Sequence, residues 1–292
     1  MSVVPQPTIG RLLGAWTPDA GLVAALAVAA LLYLLAVRRR RRGWPVWRTC
    51  SFMVGLLALA VALMSGVDSY AEQLLSVHMA QHLLLSLVSP ALLLSAAPIR
   101  LALGSSPARV RAGLAAALSS RTLRTLSNPA VGFALFATTM LATHLTGLFE
   151  LALKDQTAHA FEHAAYFWSG VLLLAPLIAA DPLAHPPAPL ARFCWLMGAM
   201  TVMSVPGALL TFATGVRYPS YLAAARALGR SALADEHLAG VIMWVGGGLA
   251  MFALALAVAM SAMLAEERRQ ERRELHGGPV ETIEKRPRAV GA

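Results

Sequence analysis

The chain has 292 residues, of which 58% are hydrophobic and only 13% charged. Soluble domains carry about 25% charged residues and disordered chains are polar, so both classes are excluded. The net charge of +9 resides in arginine and lysine clusters between or after apolar runs, the pattern of cytoplasmic loops and not of a nucleic-acid-binding face. Cys50 and Cys194 are the two cysteines and form no CxxC, which excludes a disulfide framework and a Cys-based zinc site.

The apolar runs predict an all-α polytopic membrane domain over 22–264, with about seven spans. In chain order these are about 22–37, 51–64, 74–97, 129–148, 157–179, 193–213 and 237–264. The first follows an outer segment, 1–21, and stops at the run Arg38 to Arg42. A cleavable signal has its charges before the apolar stretch, so this reads as an uncleaved anchor. Asn128-Pro129 suits the cap and first position of the fourth span, and Pro206-Gly207 predicts a kink in the sixth. Residues 100–128 alternate small apolar residues with arginine and read as an amphipathic helix on the inner interface, near anionic lipid. Residues 214–236 form an outer loop with a short helix near 222–228, where Tyr218 and Tyr221 could lie at headgroup level. Residues 265–292 form a charged cytoplasmic tail. With the N-terminus outside and the C-terminus cytoplasmic, 19 of the 24 Lys and Arg fall inside, as the positive-inside rule requires.

On this topology six of the eight histidines gather near the outer ends of four spans. His78 and His82 share one helix face at i, i+4, and His159 and His163 repeat that spacing. His144 ends the fourth span and His237 opens the seventh, while His185 and His276 fall inside. Two imidazoles on one face can bind one metal ion, although no HExxH supplies the base of a hydrolytic zinc site. The competing reading is that the imidazoles only bridge helices by hydrogen bonds. Imidazole suits copper, zinc, iron and nickel, and a thioether favours Cu(I), Met243 being the best-placed methionine. Asp155, at i−4 from His159, could accept from its ring. Glu162 lies beside His163 in sequence but off its face, and Tyr166, at i+3 from His163, could bond within the site or anchor the helix.

Three stretches together resemble a known family. His78-Met79-Ala80-Gln81-His82-Leu83-Leu84-Leu85, followed by Ser89-Pro90-Ala91-Leu92-Leu93-Leu94 and Pro98, resembles the hallmark of CtaG-type cytochrome c oxidase assembly factors, the multi-span proteins associated with caa3-type oxidases. His159-Ala160-Phe161-Glu162-His163 with Phe167-Trp168 agrees, as does Tyr218-Pro219 followed by Asp235-Glu236-His237-Leu238-Ala239-Gly240-Val241-Ile242-Met243-Trp244. The resemblance implies seven spans in a bacterial plasma membrane. It also implies a part in placing copper in the CuB centre of the catalytic subunit, cytochrome c oxidase subunit I. On matching positions it makes His78, His82, His159 and His163 copper ligands, with Asp235 and Met243, and His237 stands where the family commonly has Gln. A site at the outer face fits receipt of Cu(I) from a periplasmic or extracellular donor, without catalytic turnover. Other classes stay open: a haem-binding membrane redox protein, a copper or proton channel, and a structural assembly chaperone without metal. Oligomeric state is not readable from the sequence.

Overall fold

The computed structural model describes residues 6–40, 43–182 and 187–276. Arg41 and Arg42 of the basic run, His185 and the tail beyond His276 lie outside the described residues. Thr8 caps a short α1 (Ile9–Gly14), and Asp19 caps α2 (Ala20–Arg39) through the Leu22 N–H. α3 (Val46–Met64) follows Pro45, and Ser65 caps α4 (Gly66–Ala71). α5 (Leu75–Leu83) runs through a π turn (Leu84–Val88) into α6 (Ser89–Ser95), and α7 (Pro98–Ser105) starts after Ala97, which is left-handed with φ 51°. Then come α8 (Ala108–Ser119), α9 (Arg121–Leu126), α10 (Pro129–Leu145) with Asn128 as its cap, α11 (Leu148–Ala152) and α12 (Gln156–Ile178). The chain continues through α13 (Pro189–Thr211), α14 (Tyr221–Ala227), α15 (Ala232–Val241), a second π turn (Ile242–Gly246) and α16 (Gly247–His276). No strand occurs among the described residues.

Among the described residues six stretches are long and apolar enough to cross a membrane: Ala20–Arg39, Val46–Met64, Leu75–Ser105, Gln156–Ile178, Pro189–Thr211 and Ala232–Arg272. The protein is therefore an all-α, multi-pass membrane protein. The expected fourth span, α10, has 17 residues. At a rise of 1.5 Å per residue that is about 26 Å, short of a hydrocarbon core of about 30 Å. It packs against α12 and α13, with Gly132, Phe136 and Met140 buried. The chain departs from the expected elements in two further places. The third span continues past Ala97 to Ser105. Residues 100–128 are broken at Ser106-Pro107 and Ser120, giving the end of α7 and then α8 and α9, and neither α8 nor α9 buries a residue. Pro206 lies inside α13, buried beside Gly207.

Lipid removes the hydrophobic drive between spans, so close backbone approach must hold them together. Glycines supply it. A Cβ at Gly132 would overlap the Leu172 carbonyl, one at Gly170 the Ser86 carbonyl, and one at Gly240 the Gly207 carbonyl. These contacts pin α10 to α12, α12 to the first π turn, and α15 to α13. The π turn has a local cause. Pro90 has no N–H and its ring crowds the carbonyl four residues back, so the ladder widens just before it. α2 is peripheral, with Tyr33 as its one buried residue; the Tyr33 ring stacks on Phe52 at 4.0 Å and its hydroxyl donates to the Ala96 carbonyl at 3.1 Å.

Gly170→Val places new atoms against a backbone that cannot yield. Its thermal unfolding midpoint in detergent is expected to fall by the equivalent of about 1–3 kcal/mol. Gly113→Val, in open space on α8, is expected to leave the fold intact.

Candidate metal centre

α5 carries the first pair of histidines and is clamped from two sides. Its cap residue, Leu74, has no side chain to receive an N-terminal N–H. Asp235 on α15 performs that task instead: the Ser76 N–H donates to its carboxylate at 3.2 Å, and the Ser76 hydroxyl donates to its other oxygen. On the opposite side the Gln81 amide donates to the Ala62 carbonyl and to Asp68, both at 2.8 Å. Burial raises the Asp68 carboxyl above its ordinary range, against the opposing effect of the Gln81 bond. Asp235 and Gln81 are thus positioning residues. They fix the rotation of α5 so that His78 and His82 face α12.

α12 brings the second set. The Asp155 carboxylate accepts from the Ala158 N–H at 2.8 Å and caps the helix, so it does not receive the His159 ring as expected. His159, Glu162 and His163 stand at i, i+3 and i+4, which is one helix face. The expectation that Glu162 points off this face is therefore corrected. Its carboxylate lies 3.9 Å from the Nε2 of both His78 and His82, and its side chain is 4% exposed.

The imidazoles form a single group. His78 Nε2 and His82 Nε2 are 2.9 Å apart. Ring centroids are 5.4 Å apart for His78 and His159, 6.1 Å for His78 and His163, 6.0 Å for His82 and His163, and 4.2 Å for His159 and His163. Two overlapping sets have ligand atoms all within 4.8 Å: His78, His82 and His163, and His78, His159 and Glu162.

The tautomer of His78 follows from its neighbours. The Tyr221 hydroxyl donates its one proton to the Ala71 carbonyl at 2.9 Å. It can therefore only accept from His78 Nδ1, also at 2.9 Å. A neutral His78 then has its proton on Nδ1 and a lone pair on Nε2, aimed at His82 and Glu162. If His82 Nε2–H fills that lone pair, His82 Nδ1 becomes a buried acceptor without a donor, and it has no partner. The Nε2 atoms of His144, His159 and His163 and both oxygens of Glu162 are likewise buried and unpartnered. Such atoms are costly in an apolar interior. A cation satisfies lone pairs that hydrogen bonds leave open, and donor separations of 2.9 and 3.9 Å suit one ion bonded at about 2.0–2.2 Å to each. The residues therefore fit a metal with imidazole and carboxylate ligands.

The surroundings hold the rings still. Tyr166 stacks on His82 at 3.9 Å and bonds the Thr143 hydroxyl at 2.7 Å. His144 stands beside the group: its ring is 6.4 Å from His82, and its Nδ1 meets Thr143 at 3.1 Å. Phe149, fully buried, touches the rings of His78, His82 and His144. The tyrosines of the loop between α13 and α15 pack inside the protein. Tyr218 and Tyr221 are buried, because Glu236 accepts the N–H groups of Arg217 and Tyr218 and folds the loop inward. Burial also raises the Tyr221 phenol well above its ordinary range, which keeps its proton in place. Glu150 accepts from the Ser220 hydroxyl at 2.6 Å and fastens the same loop to α11.

The structure thus unites His78, His82, His159, His163 and Glu162. It places His144 and Tyr166 at their margin and Asp235 behind them. His237 is apart, its Nε2 bonded to the Ala213 carbonyl at 2.9 Å, and Met243 is buried in the apolar core. Tyr221 and Phe149 escaped the sequence reading. Nothing local marks Phe149, but the tyrosines of a loop otherwise rich in alanine were a visible signal.

Residues 31–264 match the family described as cytochrome c oxidase caa3 assembly factor, so the chain belongs to that family. It is 31% identical over 286 residues to uncharacterized proteins of Mycobacterium bovis and of Mycobacterium tuberculosis, and 29% identical over 282 residues to one of Mycobacterium leprae. Each alignment covers 92% of this chain and 42% of the relative, so the chain spans about two fifths of the length of these relatives. No solved structure matches the chain.

Asp235→Ala removes the acceptor of two buried donors on α5. A loss of about 1–3 kcal/mol of stability is expected, seen as a lower thermal midpoint, with a smaller loss for Asp235→Asn.

Proposed function

We propose that this protein binds copper at His78, His82, His159, His163 and Glu162 and passes it to the CuB site of cytochrome c oxidase subunit I during oxidase assembly. The observation that carries the reading is a pair of overlapping three-residue sets, His78 with His82 and His163 and His78 with His159 and Glu162, whose ligand atoms lie within 4.8 Å of one another, with the Nε2 atoms of His159 and His163 and both Glu162 oxygens buried and unpartnered. Charge argues for Cu(I). Glu162 is the one carboxylate in either ligand set. With neutral imidazoles and an ionised Glu162, a monovalent ion gives a site of zero net charge, whereas a divalent ion leaves a buried positive charge. His144 and Met243 stand outside this proposed ligand set, as do Asp155, Asp235 and His237.

We further infer an orientation with the histidine end outside the plasma membrane, from the distribution of arginine and lysine. A periplasmic or extracellular donor would then supply the ion. Half-buried His159 is the best access point, since the other face of the cluster is closed by Phe149 and Tyr166. A haem reading fares worse. Bis-imidazole haem needs rings on opposite faces of the iron, and His78 and His82 sit edge to face with centroids 4.4 Å apart.

The test is anaerobic Cu(I) titration of the purified protein against a competing chelator. The double variant His78→Ala with His82→Ala is expected to lose binding while unfolding near the normal temperature. Glu162→Gln is expected to weaken Cu(I) binding while leaving zinc at least as weak. Absence of copper from the folded wild type would favour a structural chaperone whose histidines only bridge helices.

Tyr221→Phe leaves His78 Nδ1–H without its acceptor. Partners of this kind are worth about 10–100-fold in metal affinity, so a loss of that size is expected in the same titration, with an unchanged fold.

A further inference from the structure

A second charged cluster lies at the opposite end of the bundle. A cavity of about 1250 Å³ is enclosed there by the start of α3, the end of α12, the start of α13 and the distal part of α16. Among the described residues Arg48, Arg100, Arg192 and Arg268 line it, with Glu266 as the one carboxylate. Asp181 adds a second negative charge beside Arg48 and Arg100, and its oxygens already accept the backbone N–H groups of Ile99 and Arg100. Four guanidinium groups therefore meet two carboxylates. The Nε of Arg48 is buried with no hydrogen-bond partner, while its guanidinium lies over Trp44 and Trp47 at 5.0 and 5.1 Å. Arg192 uses its Nε on the Pro187 carbonyl.

The rest of the wall is apolar and includes Ile178, Phe193 and Leu254. The rim is open: Trp47 is 57% and Leu190 74% exposed. A ligand for this cavity needs an anionic head and an apolar body. The volume exceeds the roughly 300–1,000 Å³ of small-ligand pockets. The position, at the ends of spans with tryptophan beside it, is that of a headgroup layer.

We propose that this cavity binds an anionic phospholipid, with Arg48, Arg100, Arg192 and Arg268 on the phosphate and the acyl chains along Ile178, Phe193 and Leu254. Guanidinium matches phosphate through paired N–H donors, and basic pockets between spans select anionic headgroups. The site is independent of the metal centre, which lies at the other end of α12.

The test uses the full chain in nanodiscs of phosphatidylcholine containing phosphatidylglycerol, with retained lipid measured by native mass spectrometry after release into detergent. Phosphatidylglycerol is expected to be retained in preference to phosphatidylcholine. The double variant Arg192→Gln with Arg268→Gln is expected to lose that preference by about fivefold per arginine, and the two lysine variants to recover part of it. Arg226→Gln with Arg230→Gln, exposed at the opposite end of the bundle, is expected to change nothing. Thermal unfolding in pure phosphatidylcholine checks that the variants fold, and Arg268→Gln alone repeats the measurement if the double variant does not. Equal retention of both lipids, or undiminished preference in folded variants, would overturn the proposal. So would displacement of the lipid by inorganic phosphate at equal concentration, which would make the cavity a free-anion site.

Discussion

Two imidazole nitrogens face each other at 2.9 Å inside a membrane protein, and only one proton can lie between them. That contact sets the terms for everything around it. Water would satisfy such groups at a surface, but the cluster is closed by Phe149, Tyr166 and Tyr221, all fully or nearly fully buried. Glu162 sits 3.9 Å away, too far for a hydrogen bond and near enough to share an ion. A scaffold that only needed helix-bridging bonds would pair these atoms with donors. Here the Nε2 atoms of His144, His159 and His163 and both Glu162 oxygens stay buried without partners, an arrangement stable only when the surrounding structure holds it.

The holding is done by elements with no metal-binding chemistry of their own. Asp235 caps α5 from another helix and Gln81 ties it to α3 and α4, so the rotation of the His78–His82 face is set from both sides. Gly170 lets α12 approach the π turn below His82, which brings Glu162 and His163 within reach. Polar groups buried in lipid-facing bundles are normally spent on helix association. Here close glycine contacts, the caps and Gln81 do much of that work, and the Nε2 atoms of His144, His159 and His163 are left without hydrogen-bond partners.

The two ends of the bundle therefore have opposite chemistry. One gathers neutral imidazoles, a carboxylate and phenols under an inward-folded loop. The other gathers arginines and tryptophans around an open cavity. The spans between them are apolar, and α10, at 17 residues too short for the full hydrocarbon core, packs among them against α12 and α13.

Helix class, the apolar runs and the register of each histidine pair were legible in the sequence, because hydrophobic length and the 3.6-residue period are local properties. His159 and His163 declared a shared face by spacing alone, and Glu162 belonged to that face by the same rule, although the pair drew attention away from it. The resemblance of the motifs to the oxidase assembly family was equally legible and holds over residues 31–264. Other features lay beyond the sequence. Asp155 and Asp235 looked like companions of the histidines and proved to be caps, since a carboxylate's partner depends on which N–H the fold presents. Tyr221 lies 143 residues from His78, yet its hydroxyl decides which nitrogen of that ring is free. Which groups each helix offers is a local matter, because a helix face is built from neighbours in the chain. Which of those groups meet is settled by packing, because close contact between helices depends on small residues and caps drawn from distant segments.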